Sequence, residues 1–165
     1  MTVQPIITLL NQLIELHERL LDVSQEKTEI LKNGDFDRLQ ELLKKEQALV
    51  KNITQVEQKR IEEVERWSID KGLDPKEITV TTMIENYING TEKDELEKAT
   101  IVLADKLHTL RGHEELNKQL TEQSMQFVQL SLNMIKPSSI QNMNYGNKPQ
   151  QQPTTHNQSI FDSKA

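Results

Sequence analysis

The sequence contains no cysteine among its 165 residues. A disulfide framework and a thiolate metal site are therefore excluded. Aromatic residues are scarce at 4%, and apolar residues of all kinds reach only 35%, a thin supply for a core of ordinary thickness. Glycine and proline number five each, while 28% of residues are charged. That balance suits long helices that each bury one narrow stripe, because a rod needs less interior per residue than a sphere. No stretch approaches the roughly 18 uninterrupted apolar residues of a membrane span. The opening MTVQPIITLL has no basic region ahead of its apolar residues and reads poorly as a signal peptide. Positive charge is in deficit, with a formal net charge of -6. Such a chain repels phosphate, so neither nucleic acid nor an anionic membrane surface is an expected partner. A single soluble, cytoplasmic domain is the expectation.

Catalytic constellations are missing as well. No glycine-rich phosphate loop occurs, and no serine sits on a Gly-x-Ser-x-Gly elbow. His113-Glu114-Glu115-Leu116-Asn117 fails the zinc-protease pattern because position 117 is not histidine. His108 and His113 are five apart and do not share one helix face, and His17 lies in another segment. The many carboxylates are expected on solvated helix faces, where a raised pKa and acid/base work have no cause. Hence no catalytic, cofactor-binding or metal-binding residue is assigned, and the chain is not expected to be an enzyme.

What is present is helix periodicity. Ile6, Leu9, Leu13, Leu16, Leu20 and Val23 recur at alternating spacings of three and four, and the pattern resumes at Ile30 after Lys27 interrupts it. Leu10, Ile14 and Leu21 widen the stripe, which favours packing against two neighbours. Asn33-Gly34-Asp35 breaks the pattern: Gly34 suits a left-handed helix end and Asp35 a helix cap. A second helix is predicted over 36–71, with Glu46 and Arg60 on or beside its stripe, their stems on apolar surface and their charges in water. The first two helices should fold back as a hairpin.

Gly72 should end the second helix, with Leu73 folding back. The β-branched run Ile78-Thr79-Val80-Thr81 predicts an extended connection. Thr82 and Glu85 have capping-box spacing, which predicts a short helix over 83–88. Thr91 is the expected cap of a last long helix ending near Lys136. Gly112 costs that helix about 1 kcal/mol without ending it. A heptad count from Leu103 and Leu110 passes through Asn117 and Ser124, which either fix register or mark a drifting face. The fold class predicted is all-α, an elongated antiparallel helical bundle or coiled coil of three long helices plus one short helix. Residues 1–136 form the helical domain. Residues 137–165 are rich in Asn, Gln, Ser and Pro and form a disordered tail, with Ile160-Phe161 as a possible docking motif or an incidental pair.

The last helix has more apolar groups than a bundle needs. Phe127, Leu130, Leu132, Met134 and Ile135 lie on more than one side of it, which makes the surplus a candidate interface. Met125 and Met134 add adaptable packing. The alternatives are packing on the short helix or on a second copy of the chain, so a homodimer stays open. So does a self-associating structural coiled-coil adaptor without cargo.

Taken in order, the leucine-rich first helix, the Asn-Gly-Asp break, LQELLKKEQALVKNITQVEQKRIEEV, a variable middle and LNKQLTEQSMQFVQLSLNMI resemble the FlgN-type flagellar export chaperones. Glu46, Leu49 and Arg60 fit the family's Glu–Leu–Arg pattern. The end Phe161-Asp162-Ser163-Lys164-Ala165 is similar to the ends of members from Gram-positive flagellated bacteria. The resemblance implies a cytoplasmic α-helical protein that binds the two hook–filament junction proteins before their export and delivers them to the flagellar export gate. It places cargo binding on Leu116, Asn117, Leu120, Phe127, Val128, Leu132 and Ile135, and it assigns no residue to the gate.

Overall fold

The computed structural model describes residues 2–135. The expected tail and its Ile160-Phe161 pair lie outside the described residues. Four helices follow one another: α1 (Gln4–Asn33), α2 (Phe36–Asp70), α3 (Val80–Asn86) and α4 (Thr91–Ile135). Among the described residues there is no strand, and no helix is long and apolar enough to cross a membrane. The chain divides into two compact units, Met1–Met125 and Gln126–Ala165.

The first unit is a helical bundle built on the α1–α2 hairpin. Gly34 adopts φ 70° and sends its N–H back to the Ile30 carbonyl at 3.0 Å, so α1 ends where only a residue without Cβ is unstrained. Asp35 then accepts from the backbone N–H of Arg38 at 3.1 Å and opens α2. Lys27 pairs with Glu46 toward the turn, while Ile6 and Leu10 share the core with Val64 and Trp67 at the far end, so α1 and α2 are antiparallel. Their backbones lie side by side along the hairpin. At the far end Gly72 repeats the device at φ 70°. The Leu73 N–H bonds the Ser68 carbonyl at 2.9 Å and that of Gly72 the Ile69 carbonyl at 3.0 Å, the pairing of a Schellman end. Leu73 thereby folds back onto the core.

The short helix starts earlier than its β-branched residues suggest. Thr79, not Thr82, is the cap. Its Oγ1 accepts from the Thr82 N–H at 3.1 Å, and its own N–H donates to Thr82 Oγ1 at 2.8 Å. Reciprocal capping together with burial of Met83 and Ile84 outweighs the weak helix preference of Val80 and Thr81. Similarly, α4 begins one residue before expectation. The Gly90 carbonyl accepts from Lys93 and Asp94, which leaves Thr91 as the first helical residue rather than the cap. Gly112 does not interrupt α4.

The core lies at one end of this unit. Val3, Ile6, Ile7 and Leu10 of the α1 end meet Val64 and Trp67 of α2, Met83, Ile84 and Ile88, and Leu96 and Ala99 of α4. Trp67 meets Tyr87 edge to face, with ring centroids 6.1 Å apart. Lys106 of α4 pairs with Glu18 of α1 at 3.1 Å, and Glu114 and Asn117 meet Ser24 and Thr28. These pairs advance together along both chains, so α4 runs parallel to α1 and antiparallel to α2.

In the second unit the described residues, 126–135, are the last turns of α4.

Candidate partner-binding surface

The ten residues 126–135 include six large apolar ones: Phe127, Val128, Leu130, Leu132, Met134 and Ile135. All six are exposed, from 45% at Val128 to 71% at Phe127, Met134 and Ile135. Helical spacing sorts them into two adjoining rows. Phe127, Leu130 and Met134 recur at i, i+3 and i+7, while Val128, Leu132 and Ile135 recur at i, i+4 and i+7. At 3.6 residues per turn the two rows together cover an arc of about 200°. Ser131 falls inside the arc, but its hydroxyl donates to the Phe127 carbonyl at 2.9 Å, which satisfies it within the helix. Burying one such side chain is worth about 1.5–3 kcal/mol, so this arc forgoes a large stabilisation in water. An exposed apolar patch of that kind marks a binding surface.

The other expected binding residues belong to the first unit and are placed differently. Leu116 is exposed and Leu120 half-buried. Asn117 is only 2% exposed. Its Nδ2 donates to the Ser24 carbonyl at 2.8 Å and to Ser24 Oγ at 3.1 Å, and its Oδ1 accepts from Thr28 Oγ1 at 2.5 Å. The side chain is thus committed to α1 and is not presented to a partner. Of the two readings of the heptad count, Asn117 takes the register-fixing one. Ser124 is half-buried, with its hydroxyl on the Leu120 carbonyl at 2.9 Å.

Asn117 belongs to a polar layer that apolar periodicity did not reveal. Ser24 Oγ donates to Glu114 Oε1 at 2.6 Å, and Lys27 Nζ reaches Glu46 at 2.5 Å and Glu114 at 3.2 Å. Lys27 is 9% exposed. Glu46, expected to send its charge to water, instead meets this buried ammonium. The signal was in the spacing: positions 6, 10, 13, 17, 20, 24, 27 and 31 follow a strict four–three alternation, and all eight are buried. His17, Ser24 and Lys27 are members of that seam rather than interruptions of it.

A cleft of about 600 Å³ opens in the same unit. Leu10, Leu13, Ile53, Ile78, Leu103 and Leu107 are among the residues that line it. On its wall Glu57 accepts from Arg60 Nε at 2.8 Å and Nη2 at 2.6 Å. This bidentate bond, set against partial burial, holds the guanidinium above its ordinary pKa. Arg60 is therefore spent on its own helix. Among the described residues no three His, Asp or Glu side chains stand together as metal ligands. His17 directs Nδ1 at the Leu13 carbonyl at 2.7 Å. His113 has a buried Nδ1 without a hydrogen-bond partner among the described residues.

A family model described as FlgN protein matches residues 1–153. The chain is 36% identical over 166 aligned residues to the uncharacterized protein YvyG of Bacillus subtilis strain 168, covering the whole of both chains. No solved structure matches it. The chain belongs to the FlgN family of flagellar chaperones.

Proposed function

We propose that this protein is a cytoplasmic flagellar export chaperone that binds the hook–filament junction proteins, keeps them from premature assembly or aggregation, and delivers them to the flagellar secretion apparatus. Family membership supports the class of function. The observation that carries the choice of surface is the apolar arc of residues 126–135. An amphipathic cargo helix can lay its own i, i+3, i+4 and i+7 residues against either row. Phe127, Val128, Leu132 and Ile135 are the proposed anchors, joined by Leu130 and Met134. Met134 adapts its shape readily, which suits a surface that serves more than one cargo. Leu116 is a further exposed apolar residue available to cargo. Asn117 acts through the bundle instead.

The test is co-elution of the full-length chain with each hook–filament junction protein on a sizing column with light scattering. A stable complex of defined stoichiometry is expected. A discrete self-oligomer with affinity for neither protein would overturn the reading in favour of a self-associating structural adaptor.

A further inference from the structure

Three features of the first unit fall on one stretch of α4. The first is the polar layer. Near Leu96 and Ala99, α4 is held by a wholly apolar core. Beyond Leu110 it is held chiefly by Glu114 and Asn117, through Lys27, Ser24 and Thr28. The second is a groove open to solvent. It measures about 290 Å³ and lies beside the layer, lined by Leu31, Leu39 and Leu43 of the hairpin and by Asn117, Lys118 and Thr121 of α4 among others. Side chains facing such a groove meet water in place of close-packed neighbours. The third is His113, whose Nδ1 is buried with no partner among the described residues.

Each feature makes the closed state of this stretch cheap to leave. Opening breaks the Lys27–Glu114 pair and returns both groups to water, where hydration replaces it, while the Lys27–Glu46 pair stays within the hairpin. It lets His113 bond to water. The hairpin keeps contacts that do not involve α4, since the Lys27–Glu46 and Arg38–Glu26 pairs join α1 to α2 directly. Closing, in turn, is selective. The Asn117 amide matches Ser24 and Thr28 at one register only, and a slip by one turn would strand it against apolar side chains.

We propose that α4 between Leu110 and Met125 is a latched arm: it opens from the α1–α2 hairpin and recloses in one register while the apolar core stays shut, and the Lys27–Glu46–Glu114 layer with Asn117 is the latch. The proposal stands apart from the identity of any cargo.

Native-state hydrogen exchange on the full-length protein tests it. Amides of residues 114–124 are expected to show protection at least tenfold lower than those of Leu10, Leu13, Val64 and Trp67. The variant Lys27→Met/Glu46→Leu/Glu114→Leu, which makes the layer apolar, should raise protection over 114–124 at least tenfold. A second variant guards against misfolding of the first. The chain has no cysteine, so Thr28→Cys/Asn117→Cys carries a single possible disulfide. Oxidation should bring 114–124 to the protection of the core, and reduction should reverse it. Equal protection of 114–124 and the core in the wild type, or no change on oxidation of the tethered variant, would overturn the proposal.

Discussion

Asn117 of α4 and Ser24 of α1, 93 residues apart in the chain, are joined by two hydrogen bonds from one amide group, at 2.8 and 3.1 Å. This contact sets how α4 lies on the hairpin. It also separates an end of the bundle held by apolar packing from an end held by polar side chains.

The two ends respond differently to truncation. Asn117→Ala removes three hydrogen bonds, but the Ser24 carbonyl keeps its helical partner and Thr28 can turn to that carbonyl. A loss of about 1–3 kcal/mol is expected. Leu96→Ala empties a fully buried site and should cost about 2–5 kcal/mol. Urea unfolding of both variants measures the contrast. A larger loss at Asn117 than at Leu96 would mean that the polar layer, not the core, dominates stability.

Two glycines should respond to alanine with opposite signs. Gly112 lies within α4, and a Cβ there would meet nothing within 4 Å. Gly112→Ala should stabilise by about 0.5–1 kcal/mol, since alanine is the better helix former. Gly72 also has open space but holds φ at 70°. Gly72→Ala should destabilise by about 1 kcal/mol, because the left-handed conformation crowds a Cβ. Thermal midpoints that shift in the same direction for both would contradict this.

The caps of α3 give a third test. Thr79→Ala removes the hydroxyl that accepts from Thr82 and should cost about 1 kcal/mol. Glu85→Ala should cost little, because the box closes through Thr82 instead. Near-ultraviolet circular dichroism of Trp67, which touches Tyr87 just after α3, follows the local loss. Equal effects of the two substitutions would move the cap back to Thr82.

Most of the helical order was legible from chain punctuation. Asn33-Gly34-Asp35 and Gly72-Leu73 carry their own geometry, because a positive φ and an Asp cap are local requirements. The surplus of apolar residues after Gln126 was legible too, since a helix in a bundle needs only one apolar stripe. The start of α3 was not legible. A seven-residue helix is decided by burial and capping, which propensity does not record. The polar layer was missed for a related reason. Tracking apolar residues alone makes Lys27 an interruption, whereas the four–three spacing makes it part of the seam. Glu46 and Glu114, which make that position tenable, come from other helices. The heptad position of Asn117 left open whether it fixes register or marks a drifting face; its burial and its partners on α1 come from the structure.

The central claim is that residues 126–135 form the cargo surface. Titration calorimetry of each hook–filament junction protein into the wild-type chain and into Phe127→Ala/Leu132→Ala tests it most directly. Both side chains are exposed, so helix content and melting should be preserved while affinity falls at least tenfold, through loss of an anchor from each row. A variant that folds normally and binds both proteins as tightly as the wild type would contradict the claim.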